Sequence, residues 1–408
     1  MEFNLRYGKE TLTFSAQENA SFLEIQEPEF NVSEEFFKSS FRQLLDSHIK
    51  DYSNIGIVLS DKTRLCDYPL YLPWLLEVLE SNGAKPANIT FYIAYGTHPR
   101  QKEEESISSY GDTFHKYRFI HHDCSDLDLF ENLGTTSRGT KIMVRKDILE
   151  SSLIITFGAI SHHYFAGFGG GRKLLFPGLA EKKSIYHNHS LFLNFNNRIL
   201  EEGCQPGKLT GNPVAEDLRE INDLLPERIS IHGILNSKGK VCQFLFGKNY
   251  GDFEKACKAH DSFFRSKSNR QFDMVIASSG GYPKDINFIQ AHKSVHHSAA
   301  FVRDGGTLMI LAECSDGIGT DTFLPLFKES SWNQMFDLLS RKYEGNGGTA
   351  LAMKAKSIRI NIYMMTSLDK ETCDLMGAEK TDIAQMSKLL ISHKGSLAII
   401  DNASMLIR

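Results

Sequence analysis

Two hydrophobic patterns alternate along the chain. Continuous apolar runs of strand length occur at residues 54–60 (NIGIVLS), 89–95 and 153–158 (LIITFG), and the run at 54–60 passes through a polar segment into a helix-like stretch ending near residue 82. Shorter strand candidates lie at 117–121 and 141–144, and the first fifty residues predict a hairpin and a helix around 34–51. Residues 184–225 read as helix interrupted by the turn-like GCQPGKLTGNP, followed by strands at 229–235 and 241–247 and an amphipathic helix to about 264. The polar run SKSNRQ (266–271) then separates a second series: a strand opening DMVIASSGG, a helix over 285–302, strands at 306–314 and 358–365, a helix at 382–392 and the closing strand SLAIID. This alternation predicts an α/β protein of two α/β domains, residues 1–265 and 272–408, with largely parallel or mixed sheets. Ligands of such sheets bind beyond the carboxyl ends of the strands. Segments 61–64, 96–100 and 162–173 all follow strands, so they are expected to meet on one sheet edge.

Composition changes this picture little. The 408 residues are 41% apolar and 24% charged with a net charge of -4, ordinary for a globular protein and without the basic excess of a nucleic-acid binder. Seven scattered cysteines without a C-x-x-C pair argue for reduced thiols and against a disulfide frame or a cysteine zinc site. With no signal-like apolar segment at the start and no run of membrane-spanning length, the expected location is the cytoplasm.

The chemistry concentrates in residues 162–189, HHYFAGFGGGRKLLFPGLAEKKSIYHNH. Gly167, Gly169, Gly170 and Gly171 allow positive φ and close approach of a ligand to backbone N–H groups. Lys173 is expected at the edge of that loop, and His187 and His189 on the helix that follows. The run matches neither the dinucleotide fingerprint, since GFGGGR lacks the third glycine at the right spacing, nor the P-loop, since Leu174 follows Lys173 where Ser or Thr is required. In the second series, Gln290 and Lys293 are three apart on a predicted helix and share a face suited to an anionic substrate, which makes an interdomain cleft the expected place for chemistry. Each feature alone has a plain structural reading: a turn histidine at His98, a glycine turn, a solvated helix face. His121, His122, His296 and His297 are read as surface or structural residues. The co-occurrence of the others at strand ends is what packing alone does not select.

Five ordered motifs carry a resemblance. H-x-x-A-G-x-x-G-G-x-K at residues 163–173, the downstream His189, G-T-H-x-R at 96–100, D-x-T-R at 61–64 and G-G-Y-P-x-D-x-N-x-x-Q-x-x-K at 280–293 resemble the motifs of the lactate racemase family over about residues 50–320. The resemblance implies an isomerase, a racemase or epimerase of 2-hydroxy acids. It would invert C2 by proton-coupled hydride transfer, through a 2-keto acid, to a nickel-pincer nucleotide, a pyridinium thioamide–thiocarboxylic acid mononucleotide holding nickel. It further implies that Lys173 tethers this cofactor covalently, that His189 ligates the nickel, and that Asp61, Arg64, Gly169 and Gly170 help hold the nucleotide. His98 and His163 would be the acid/base pair, with His162 a runner-up for the second, while Arg64, Gln290 and Lys293 would bind the substrate carboxylate and orient its hydroxyl. The implied partners are a small 2-hydroxy acid and the proteins that make and insert the cofactor, with no nucleic acid and no membrane.

The chemistry gives its own reason for such a set. Removing the C2 hydrogen as a proton leaves a carbanion beside a carboxylate, whereas removing it as hydride leaves a neutral ketone carbon. Because the hydroxyl points differently in the two enantiomers, two bases are needed, and imidazole with a pKa near ~6.5 serves in both directions. Two rival classes stand beside this reading: a divalent-metal hydrolase using His162, His163, His187 and His189 as ligands, and a non-catalytic module binding the cofactor or a hydroxy acid. The first leaves Lys173 idle, and the second has no need of both His98 and His163.

Overall fold

In the computed structural model, which describes residues 1–29, 31–47, 51–329 and 331–408, the chain divides into two compact units. One comprises Glu27–Leu191 and Gly203–Phe263, the other Met1–Gln26, Phe192–Glu202 and Phe264–Arg408.

The first unit is built on a six-stranded sheet in the order Val241–Gly247, Ile229–Leu235, Leu153–Ala159, Ile55–Ser60, Ile89–Ala94, Arg118–His121. All neighbours are parallel except the Val241–Gly247 edge. Parallel strands are covered on both faces, which is why Ile55–Ser60 is a run of buried residues rather than an alternating one. The helices Glu34–Asp46 and Tyr68–Ser81 supply Phe37, Phe41, Tyr71, Leu72 and Leu75 to a core shared with Ile57, Leu59, Phe157 and Ile231. The predicted helix over 34–51 thus ends at Asp46, and residues 48–50 lie outside the described residues. The chain starts in the middle of the sheet at Ile55–Ser60, runs outward to Arg118–His121, and returns on the other flank at Leu153–Ala159. That reversal opens a crevice between the carboxyl ends of Ile55–Ser60 and Leu153–Ala159, the usual ligand position in open α/β sheets.

Two expectations change here. The strand predicted at 141–144, observed as Lys141–Arg145, pairs antiparallel with Phe130–Thr135 in a separate ribbon instead of joining the sheet. Residues 162–173 form not a simple loop but a small hairpin, Ser161–His163 against Gly167–Gly169, closed by a 3₁₀ turn at Gly171–Leu174. Positive φ at Gly167, Gly170 and Gly171 makes that compact path possible.

The second unit holds a parallel six-stranded sheet in the order Glu379–Thr381, Asn361–Met365, Val302–Leu311, Phe272–Ser278, Leu397–Ile400, Ser21–Phe22. The helix predicted over 285–302 is shorter, Phe288–Ala299, and Val302 already begins a strand. Its start is fixed by Asn287, whose side chain accepts from the Gln290 N–H. The strand predicted from 358 begins at Asn361, because Gly347–Arg359 is helical. The hairpin Glu2–Tyr7/Glu10–Ser15 buries Phe3, Leu5 and Phe14 among Met274, Ile276, Met309 and Ile399. Residues 192–202 join the same unit, where the Trp332 indole donates to the Arg198 carbonyl at 2.6 Å and Arg198 pairs with Asp337 at 2.8 Å. A single cut at 266–271 therefore does not describe the division, since residues 1–26 and 192–202, assigned by sequence to residues 1–265, cluster with the later part of the chain.

Candidate active site

Three strand ends of the first unit supply one cavity of about 70 Å³, lined by Asp61, Arg64, Gly96, Thr97, His98, His163, Gly170, Lys173 and His189 among others. The predicted convergence of 61–64, 96–100 and 162–173 thus occurs, although Arg100 and Gly169 are not among the lining residues. The floor is rigidly held. Tyr68 donates its hydroxyl to the Phe157 carbonyl at 2.8 Å and accepts from the Ser60 N–H at 3.0 Å, and the Tyr110 hydroxyl donates to the Ser60 carbonyl at 2.9 Å. These bonds fix the strand end immediately before Asp61.

Asp61 is 3% exposed, and its Oδ2 lies 2.6 Å from His98 Nδ1. Burial raises a carboxyl pKa, but the His98 hydrogen bond, the charges of His98 and Arg64 and the Thr63 hydrogen bond outweigh it and hold Asp61 down to about 2. An ionised Asp61 accepts from Nδ1–H of His98, which fixes the tautomer and leaves Nε2 as the basic atom. Asp61 is thereby paired with His98, a contact that the sequence did not foresee. His163 is set up the other way: its Nδ1 accepts from the Ala166 N–H at 3.2 Å, so the neutral ring carries its proton on Nε2.

The histidine doublets separate by geometry. His162 and His163 alternate across the hairpin, and the side chain of His162 is 2% exposed, with Nε2 bonded to Asp261 at 2.9 Å. His163 lines the cavity and His162 does not. On the helix Lys182–Ser190, His187 bonds the Thr140 hydroxyl at 3.0 Å while His189 lines the cavity. That helix is anchored by the fully buried Asp217, which accepts from Asn188 Nδ2 at 2.8 Å, Thr140 Oγ1 at 2.7 Å and Thr136 Oγ1 at 2.6 Å.

Lys173 sits inside the 3₁₀ turn, 6% exposed, and its amine makes no hydrogen bond or ion pair among the described residues. Burial, with the charges of Arg64 and Arg172, pushes its pKa well below the lysine range, which favours the uncharged, nucleophilic form of the amine. His189 is likewise pushed down by burial and by Lys173, Arg64 and His98, and its Nε2 is shielded from solvent without a hydrogen-bond partner among the described residues. Phe165 packs between them, 5.0 Å from the His189 ring and 5.9 Å from Lys173 Nζ. Arg64 is exposed on the rim, and its guanidinium makes no ion pair among the described residues. A buried lysine amine and an uncommitted imidazole nitrogen lining one cavity form a donor set suited to a covalently tethered, metal-bearing group.

Gln290 and Lys293 occupy the helix Phe288–Ala299 of the second unit, with Lys293 Nζ donating to Gln290 Oε1 at 2.7 Å. His122 is buried rather than at the surface, 3.1 Å from the Ala180 carbonyl oxygen, and His297 is buried with Nδ1 2.9 Å from the Ala403 carbonyl oxygen. His121 is partly buried and bonds the Tyr95 hydroxyl at 2.8 Å, and His296 is also partly buried. Among the described residues no three His, Cys, Asp or Glu side chains gather as a metal-binding group, so His162, His163, His187 and His189 do not form the ligand cage required by the hydrolase reading. Sequence reasoning missed Phe165, Asp217 and Asp261. An ordinary aromatic and two isolated acids carry no motif, and their roles depend on neighbours distant in the chain.

No helix among the described residues is long and apolar enough to cross a membrane. The model of the lactate racemase N-terminal domain matches residues 7–200, and that of the lactate racemase C-terminal domain matches residues 267–347. A lactate racemase of Thermoanaerobacterium thermosaccharolyticum is 32% identical over 291 residues, 71% of this chain and 67% of the relative. One from Lactiplantibacillus plantarum is 32% identical over 275 residues, 66% of this chain and 62% of the relative. The apoprotein structure of the lactate racemase from T. thermosaccharolyticum superposes with a TM-score of 0.87 at 27% identity, covering 100% of this chain and 99% of that one. A Thermotoga maritima crystal structure, at 15% identity and a TM-score of 0.70 over 94% of this chain and 99% of its own, shares the fold. Matches to both domain models and to these relatives establish that the chain belongs to the lactate racemase family.

Proposed function

We propose that this protein is a racemase or epimerase of 2-hydroxy acids that works with a nickel-pincer nucleotide tethered at Lys173. The observation that carries the reading is the pairing of a buried Lys173 with His189 in one cavity that is also lined by His98 and His163. Lys173 would hold the group covalently and His189 would ligate its metal. When bound, such a cofactor supplies reversible hydride acceptance at C2 of the substrate.

The residues of the chain account for the rest. Arg64, cationic on the rim, binds the substrate carboxylate, the role that the resemblance also gives to Gln290 and Lys293. His98 takes the hydroxyl proton at Nε2 while Asp61, 2.6 Å from Nδ1, stabilises the imidazolium that forms. His163, which lines the same cavity, would be the acid from its protonated form, returning a proton at Nε2. Transfer in the opposite direction exchanges the two roles, as inversion from either enantiomer requires. The location expected from sequence, the cytoplasm, suits a cofactor supplied by dedicated synthesis and insertion proteins.

The test is intact-protein and peptide mass spectrometry with nickel analysis on protein produced together with the cofactor pathway, followed by chiral analysis of lactate incubated with it. The expected result is a mass addition on the Lys173 peptide with stoichiometric nickel, absent from a Lys173→Ala variant that also loses turnover. An unmodified Lys173 in that host, or normal turnover by Lys173→Ala, overturns the proposal. A loaded protein inactive on lactate but active on a larger 2-hydroxy acid would retain the reaction and change only the substrate.

A further inference from the structure

The first unit contains a second cavity, of about 240 Å³, that shares no lining residue with the first. The 3₁₀ turn Gly171–Leu174 presents Lys173 to one cavity and Arg172 to the other. Arg172 is 3% exposed, with Phe253 stacked 4.6 Å from its guanidinium carbon. One of its nitrogens donates to the Ala166 carbonyl at 3.4 Å, while Nε and Nη1 have no hydrogen-bond partner among the described residues. Arg228, 8% exposed, also lines this cavity and bonds the Pro226 carbonyl at 3.0 Å and the Asn222 side chain. Neither guanidinium forms an ion pair among the described residues. His232, 2% exposed, lines it as well, with neither ring nitrogen hydrogen-bonded. The fifteen-residue helix Tyr250–Phe264 begins at the cavity wall and adds the partial positive charge of its N-terminus.

Burying two guanidinium groups is costly unless an anion or further hydrogen bonds compensate, and here Asp223 acts on Arg228 and Glu254 on Arg172 only through space, without an ion pair among the described residues. Of the acidic residues that line the cavity, Asp223 acts on Arg228 through space, and neither it nor Glu227 forms an ion pair with either arginine among the described residues. The lining Lys248 directs its ammonium to the Ser47 carbonyl at 2.7 Å. Burial pushes Arg228 down to about 10, and burial with the charge of Arg228 pushes His232 down to about 4, so His232 is a neutral ring able to donate one hydrogen bond.

We propose that this cavity is an anion site, occupied by a free phosphate-sized oxyanion held between Arg172 and Arg228 with His232 as an added donor. Through Arg172, occupancy orders the turn that carries Lys173, independently of whether the cofactor is attached.

The full chain, prepared without cofactor, is titrated with inorganic phosphate against chloride at matched ionic strength, by calorimetry and by hydrogen exchange. The expected result is saturable phosphate binding with slowed exchange in segments 171–175 and 226–232. Affinity should fall at least about tenfold in Arg228→Gln and be retained in Arg64→Gln, whose side chain lines the other cavity. Circular dichroism of Arg228→Gln checks folding, and His232→Gln gives a second, milder variant with the same expected direction. The proposal is overturned if phosphate acts no differently from chloride, if folded Arg228→Gln binds as tightly as the parent, or if binding is lost in Arg64→Gln instead. Because cofactor-free protein is used, this outcome is independent of the racemase reading.

Discussion

The pair Asp61–His98 shows how a single buried carboxylate sets the chemistry of a neighbour. Asp61 is held to about 2 against an ordinary 3.8, so its folded form binds its proton less readily than the unfolded chain does. The sign follows: the pair contributes stability above the unfolded pKa, and that contribution disappears as pH falls through about 4 towards 2, amounting to about 2 kcal/mol when complete. Asp61→Asn should therefore be less stable than the parent at neutral pH, with the difference shrinking over that acid range in denaturant titrations followed against pH. On the proposed mechanism it also lowers kcat by roughly 10² or more, because an amide cannot stabilise the imidazolium at His98. A D61N enzyme with unchanged kcat and an unchanged acid limb would show that the carboxylate does neither.

Among elements, the turn Gly171–Leu174 and the glycine before it carry the most constraint. Gly170 has φ +75° and an added Cβ would lie 2.0 Å from the Ala159 carbonyl oxygen, a backbone neighbour that cannot swing away. Gly239 has nearly the same φ, +76°, with nothing within 4 Å of an added Cβ. Gly170→Ala should cost about 3 kcal/mol or more and prevent cofactor attachment at Lys173, whereas Gly239→Ala should cost only the ~1 kcal/mol of backbone strain. Denaturant midpoints and the mass of the Lys173 peptide check the contrast, and equal midpoints for the two variants would count against it. The glycine run was legible in sequence as a place where backbone approaches something closely. What it approaches includes the end of the neighbouring strand Leu153–Ala159, and only the folded hairpin supplies that fact.

For the whole molecule, the informative feature is that its first 26 residues belong to the unit built mainly from residues 264–408. Phe14 is 2% exposed and stacks on Phe3 with ring centroids 5.9 Å apart, within the core containing Met274 and Ile399. Phe14→Ala should cost about 3–5 kcal/mol and increase proteolysis within residues 264–408 before the Ile55–Ser60 sheet opens. Cleavage mapped by mass spectrometry distinguishes the two regions, and first cuts within residues 54–160 would contradict the assignment.

The order of strands and helices, the α/β class and the convergence of three strand-end segments follow from local pattern, because apolar periodicity and turn residues act within a few positions of the chain. The reactive residue types of the candidate site were legible for the same reason, as Lys173, His98, His163 and His189 stand in short motifs. Tertiary structure decided which member of each histidine doublet faces the cavity. Alternation puts His162 and His163 on opposite faces, but the partner that claims His162 is Asp261, ninety-nine residues away. It also paired Asp61 with His98, buried Lys173, and joined residues 1–26 to a core more than two hundred residues later. Each of these depends on burial and on partners distant in the chain, which no local pattern records.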